Sequence, residues 1–561
     1  MAAHSVSGFM ERLILVVIAS GFVVGCGIDD SPGKATLVVT GVRVWTGDSE
    51  MPWAEAVASR GEIILAVGSV EEIAAFVGVE TEVISVAGSM LVPGFIDTHV
   101  HFITGGSGLA SVQLRDAATP EEFTRRIGEF ANGVEPGEWI LNGTWDHKNW
   151  GGELPRRDWI DAVTPDNPVW IDRLDGHMAV ANSLALELAG VDADTADIDG
   201  GEVVRDDEGV PTGVLKDNAM TLVLSAIPPS SDSKLDREVN AAMLHVAGNG
   251  VTSVHDMADR ISLAAYRRTQ SRGELITRIY SVMPLSDWRQ LRNEIAESGS
   301  GDHWLKIGGL KGFMDGSLGS HTAAFLEPFT DAPEERGFLI NSLSDMREWI
   351  SDADAAGLHV MVHAIGDSAI RDLLDIYLDV QELNGTRDRR FRLEHAQHIH
   401  PQDIPRFAIQ DVIASMQPYH AIDDGRWADE VIGAERAKTT YAFRSLIEQG
   451  GHLSFGSDWS VAPATPLDGI YAAVTRRTLD DENPDGWIPE QKITVEQALR
   501  AYTYEAAFAS FEEDIKGTLK VGMLADFVLL DRVLTDIPPA EIRDAKVLRT
   551  VVGGRLVYSA N

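Results

Sequence analysis

Between about residue 91 and residue 458 the chain alternates short apolar runs with longer segments of helical character, the pattern of a parallel α/β architecture. Eight runs read as strands: Gly94–His101, Val251–Asp256, Thr277–Met283, Gly309–Asp315, His359–Ala364, Phe391–His395, Val412–Gln417 and Leu453–Asp458. Eight is the strand count of a TIM (β/α)8 barrel, whose active site lies at the C-terminal strand ends. The flanks keep a different rhythm. Residues 35–90 hold β-like runs broken by turns (ATLVVTGVRVWTG, AVASRGEIILAVG, TEVISVAG), and residues 510–561 echo them with GTLKVGMLADFVLLD and LRTVVGGRLVYSA. The ends of a domain often lie close together, so the two flanks are expected to form one composite β-sandwich around a barrel spanning 91–509. Residues from about 106 to 235 interrupt the barrel rhythm with tryptophans and turn signals such as WDHKNWGGELP and DIDGGEVVRDDEGVPTG. They read as an insertion after the first strand, placed to serve as a lid or substrate wall.

The N-terminus follows a third pattern. Leu13–Val24 is an apolar stretch too short to span a bilayer as a helix, but of the length found in a secretory signal. Val23-Val24-Gly25-Cys26 resembles the bacterial lipobox, whose cysteine is lipidated and becomes the mature N-terminus. This predicts a signal peptide over 1–25, lipidation at Cys26, a tether over 26–34, and an exported, membrane-anchored lipoprotein in the periplasm or at the cell surface. The bland alternative is a buried helix with an incidental cysteine, and the mutually cancelling Glu11 and Arg12 weaken the signal. Cys26 is the only cysteine, so no disulfide can stabilise the mature chain. Composition is that of an ordinary globular protein, at 44% hydrophobic and 24% charged. The net charge of −39, from 47 basic and 86 acidic residues, argues against nucleic acid as a partner.

The candidate chemistry begins in LVPGFIDTHVHF, Leu91–Phe102. Side chains two apart on a strand share a face, so His99 and His101 can aim at one point, and Asp97 lies on that face too. Imidazole suits zinc and similar metals. Lys311 falls within the fourth strand, His363 near the end of the fifth, His395 at the end of the sixth and Asp458 at the end of the eighth. Each has a structural explanation alone: a hydrogen-bonded core histidine, a helix-capping aspartate, a snorkelling lysine. Together, on these strands, they point to a metal centre. A second His-x-His, His398-Ile399-His400, precedes Pro401 with no apolar strand leading into it, and reads as an exposed loop.

At these residues the chain resembles the metal-dependent amidohydrolase superfamily, in the branch called amidohydrolase family 3, or YtcJ-like. The family's phrases stand in order as KGFMDGSLGSHTA (Lys311–Ala323), VHAIGD (Val362–Asp367), RLEHAQ (Arg392–Gln397), SMQPYH (Ser415–His420) and FGSDW (Phe455–Trp459), with LDGHMAVANSLAL in the insertion. The similarity runs from about Leu37 to Val557. It implies a distorted TIM barrel with a β-sandwich built from both termini. It also implies a divalent metal, zinc before others, bound by His99, His101 and Asp458, with His363 and His395 holding a second ion or orienting the substrate. One ion or two is left open. Lys311 matches the lysine that binuclear relatives carbamylate, and burial beside cations would free its amine to react. His177, Gln417 and His420 are placed at the substrate.

The implied activity is hydrolysis of a non-peptide C–N bond in a small-molecule amide (N-acyl, N-formyl or cyclic) by water activated on the metal. Asp458 moves the proton, and His363 or His395 assists at the carbonyl. Two alternatives stand beside it. One is a nucleobase-type deaminase, against which Gly366 occupies the position where such relatives carry a glutamate. The other is a lipid-anchored binding protein without turnover. A homo-oligomer is left open.

Overall fold

The computed structural model describes residues 33–560. The expected signal peptide, Cys26 and the tether up to residue 32 lie outside the described residues.

Eight parallel strands form the barrel: β1 (Phe95–Val100), β2 (Val251–Met257), β3 (Arg278–Pro284), β4 (Leu305–Phe313), β5 (His359–Ala364), β6 (Arg392–His395), β7 (Ile413–Met416) and β8 (Leu453–Phe455). Each pairs with its sequence neighbour in parallel register. The ring closes between β8 and β1 only at its C-terminal mouth. There Val100 bridges Trp459, and the Asp458 N–H donates to the His99 carbonyl at 2.7 Å. Closure at that end sets Asp458 beside β1.

Two strands differ from the pattern in the sequence. β4 starts earlier, at Leu305, because Lys306, which breaks the apolar run, sends its ammonium out to the Ser510 carbonyl at 2.6 Å. β8 stops at Phe455, because the next residues leave the ladder for the Asp97 carboxylate, which accepts from the Ser457 N–H at 2.8 Å and the Ser457 hydroxyl at 2.5 Å.

The insertion folds as a five-stranded sheet of Ile140–Leu141, Val169–Asp172, Met178–Ala181, Gly201–Arg205 and Pro211–Asp217. Its two faces carry separate apolar clusters, one around Trp145 and Phe123, the other around Trp170 and Leu215. The flanks share one eight-stranded sheet, in which Met90–Pro93 pairs antiparallel with Phe527–Leu530. The Ile64 N–H then donates to the Met523 carbonyl and the Ile64 carbonyl accepts from the Gly522 N–H, folding the sheet over a core of Val39, Val57, Leu91, Phe527 and Val551.

This sheet is tied to the barrel by a buried bidentate pair, Arg278 Nε and Nη2 to Asp526 at 2.6 and 2.9 Å. Removing one partner leaves a buried charge uncompensated. Asp526→Ala is therefore expected to destabilise the protein by about 3–5 kcal/mol, read as a lower urea midpoint.

The expectation of an exposed His398-Ile399-His400 loop is corrected. His398 and Ile399 are buried, and the His398 ring bonds the Thr440 hydroxyl at 2.8 Å. The segment forms a β-bridge with Thr440, which turns it inward without an apolar lead-in strand. Among the described residues no helix is long and apolar enough to cross a membrane.

Candidate active site

Six sequence-predicted residues meet at the barrel mouth. His99 is fully buried, and His101, at the strand end, keeps about a third of its side chain open (36%). Asp458 sits past β8 in the left-handed region, at φ +59°, a conformation that turns its carboxylate back toward β1. Its Oδ1 lies 3.6 Å from His99 Nε2 and 3.4 Å from His101 Nε2, and its Oδ2 lies 3.9 Å from His395 Nδ1. Burial pushes the Asp458 carboxyl up, yet His99, His101 and His395 together hold it well below the ordinary carboxylate range. It is therefore an anion at neutral pH.

These residues fit a divalent cation. Asp458 Oδ1 is buried and has no hydrogen-bond partner. Two groups of nitrogens and carboxylate oxygens, His99–His101–Asp458 and His395–His420–Asp458, each lie within 4.8 Å of one another. Ligand atoms of a tetrahedral zinc with bonds of roughly 2.1 Å stand about 3.4 Å apart, close to the separations of Asp458 Oδ1 from His99 and His101. Burial, followed by Lys311, lowers His99 to about 4, so its ring is neutral and carries a free lone pair at neutral pH. The Lys311 amine lies 3.1 Å from His99 Nε2, and burial pulls it down to about 8.

The remaining expected residues divide. His363 packs against His395, with ring centres 4.5 Å apart, but its Nε2 donates to the Gly316 carbonyl at 3.0 Å, and His420 joins Asp458 instead. Gln417 accepts from His395 Nδ1 at 2.8 Å and stands behind that ring, outside the cavity lining. His177 and His420 do line the cavity. His177 reaches it from the insertion, its Nδ1 bonded to Asp217 at 2.6 Å.

Reading the sequence missed Arg392 and Glu394. With His395 taken as inward-facing, a period of two puts both on the outer face. A left-handed turn at His395 (φ +71°) and Ala396 (φ +46°) breaks the alternation, so that all three point inward. Asp97 shared a face with His99 and His101 in the sequence, and that was the available sign of its role in holding the Asp458 segment. Arg173, also missed, is buried in the insertion between Asp146 at 3.0 Å and Asp175 at 2.5 Å. It packs so closely on Gly319 that a Cβ there would fall 2.7 Å from its guanidinium.

Burial raises Asp175, but Arg173, His177 and Ser317 outweigh it and hold the carboxyl at about 2. The stability this carboxylate contributes is present above its ordinary value of 3.8 and is lost as pH falls through about 2. Asp175→Asn is thus expected to remove roughly 1 kcal/mol of acid dependence between about pH 6 and about pH 3, seen as a smaller drop in urea midpoint over that range.

The sequence profile of the amidohydrolase family matches residues 82–558, most of the chain. The chain belongs to the amidohydrolase family. This amidohydrolase is 40% identical over 537 residues to the protein LONG AFTER FAR-RED 3 of Arabidopsis thaliana, covering 93% of this chain and 92% of that one. It is 29% identical over 545 residues to an N-substituted formamide deformylase of Arthrobacter pascens, covering 93% and 98%. A crystal structure of an uncharacterized metal-dependent hydrolase from Pyrococcus horikoshii OT3 superposes with a TM-score of 0.73 at 27% identity, covering 90% of this chain and 99% of that one. The protein is a metal-dependent hydrolase of the family that acts on C–N bonds.

Proposed function

We propose that this amidohydrolase cleaves the C–N bond of an N-formyl or similarly small N-acyl amine. The observation that carries the reading is the cavity beside Asp458. It offers ≈ 60 Å³ of space and counts His177, His363, His395, His420 and Leu318 among its lining residues. A small acyl group sits most readily in this space beside Asp458, which supports formyl over a bulky acyl. The likeness to a formamide deformylase supports the same substrate class.

His99, His101 and Asp458 would hold the zinc, and His395 with His420 a second ion. Bound there, such an ion would polarise the carbonyl and lower the pKa of water so that its deprotonated form could attack. Asp458 accepts the proton of the attacking water and returns it to the departing amine. His395, steadied by Gln417, and His363 flank the carbonyl. His177, oriented by Asp217, contacts the substrate from the insertion. Lys311 is the carbamylation candidate: its neutral amine adds to carbon dioxide, forming one N–C bond and releasing one proton. Native mass spectrometry would read that adduct.

A deaminase is disfavoured by Gly366. A Cβ there would meet the Ala324 carbonyl at 2.1 Å, so the position has no room for the glutamate that ring protonation would use. The proposal is tested by steady-state hydrolysis of N-formyl, N-acetyl and longer N-acyl amines with the zinc-loaded enzyme. Rates should fall steeply with acyl length, and a protein inert on the whole series while holding zinc would refute it. His177→Ala is expected to lower kcat/KM by about 10–100-fold with zinc content unchanged.

For localisation we infer lipidation at Cys26 and export. Cys26→Ala should move the protein from the detergent phase to the aqueous phase on phase partitioning in the native host.

A further inference from the structure

TIM barrels usually fill their interior with branched apolar side chains. Below the metal ligands this barrel is polar. Arg392 has no solvent exposure and spends its guanidinium on four groups: Glu394 Oε1 at 2.7 Å, His255 Nδ1 at 2.9 Å, the Thr98 carbonyl at 2.7 Å and the Ser415 hydroxyl at 3.0 Å. The second oxygen of Glu394 meets His99 Nδ1 at 2.6 Å. Glu394 is likewise fully buried. Ions so deeply buried each cost several kcal/mol of desolvation, and apolar residues of similar volume often serve stability as well or better. Packing alone therefore does not account for a charged pair aimed at one imidazole.

The geometry has a direct effect on that imidazole. With Nδ1–H donated to Glu394, the lone pair of His99 is on Nε2, the nitrogen that faces Asp458 and Lys311. A carboxylate behind a histidine fixes its tautomer and orientation and raises its basicity as a ligand. The other buried ring has a weaker support, since His395 Nδ1 meets the uncharged amide oxygen of Gln417.

We propose that Glu394, clamped by Arg392, is a positioning residue that fixes His99 as a metal ligand and thereby sets the protein's affinity for its first zinc ion. The inference rests on the reading of the barrel mouth as a metal site, but not on the substrate.

The test is zinc titration of metal-free protein in competition with a chromophoric chelator. Glu394→Gln keeps the shape and removes the charge, and is expected to weaken binding of the first zinc by about 10–100-fold. Glu394→Asp keeps both charges but draws the carboxylate back from Nδ1, and should give an intermediate loss. The double variant Arg392→Gln/Glu394→Gln buries neither charge and should reproduce the loss seen with Glu394→Gln. Unfolding of the metal-free proteins is followed in parallel, because a purely structural role would lower stability and leave the affinity of the folded protein unchanged. Wild-type zinc affinity in any folded variant of the three overturns the proposal. A wild-type protein that binds zinc tightly but hydrolyses no amide refutes the proposed function and leaves this inference standing.

Discussion

Replacing Asp458 by asparagine is expected to lower kcat and kcat/KM alike by about 10²–10⁴-fold, the range for losing a group that transfers protons in the transition state. Asp458 is the one residue common to both candidate ligand groups. It is also the one carboxylate there with a buried, unpartnered oxygen facing two imidazoles. The surrounding rings keep it ionised despite burial, so it can accept a proton at neutral pH and give it up to an amine. Asparagine has nearly the same shape but neither the charge nor the basicity. Steady-state kinetics on an N-formyl amine, with zinc content and circular dichroism measured on the same preparations, decide the matter. A zinc-replete, folded Asp458→Asn enzyme within about tenfold of wild type would remove Asp458 from the chemistry.

Stripping the metal is expected to abolish turnover and to destabilise the fold, with both recovered on adding zinc. A ligand present at about a thousandfold over its dissociation constant stabilises by about 4 kcal/mol, so the stripped protein should lose a shift of that order. His99, His363 and His395 are all pushed below the ordinary histidine range by burial, and remain neutral at neutral pH. At His99 protons compete with a cation only as pH falls toward about 4. Zinc release followed by elemental analysis across an acid titration should therefore begin well below the ordinary histidine value of 6.5. Release centred at that ordinary value, or full turnover after exhaustive chelation, would contradict the arrangement described for the site.

The two predictions draw on different kinds of information. That His99, His101, Lys311, His395 and Asp458 belong to one site could be read along the chain. Each lies on, or just past the end of, an apolar run that pairs into the barrel, and in a parallel barrel the C-terminal strand ends share one mouth. The same reasoning placed His363 nearby, and the family resemblance placed His420 at the substrate, but neither supplied their partners. His363 turned to a carbonyl, and His420 came to face Asp458.

The sequence by itself determined the eight-stranded barrel, the shared sheet of the two flanks, the inserted lobe and the family, because periodicity and local motifs are properties of neighbouring residues. It also determined that imidazoles and a carboxylate would collect at one rim. Only the tertiary structure decided that Glu394 stands behind His99, that Asp217 holds His177, that Asp97 pins the Asp458 segment, and which residues line the cavity. Those pairs join residues 40 to 360 positions apart. They depend on strand register and on left-handed turns at His395, Ala396 and Asp458 that override the period of two, and no local pattern of apolar and polar residues carries that information.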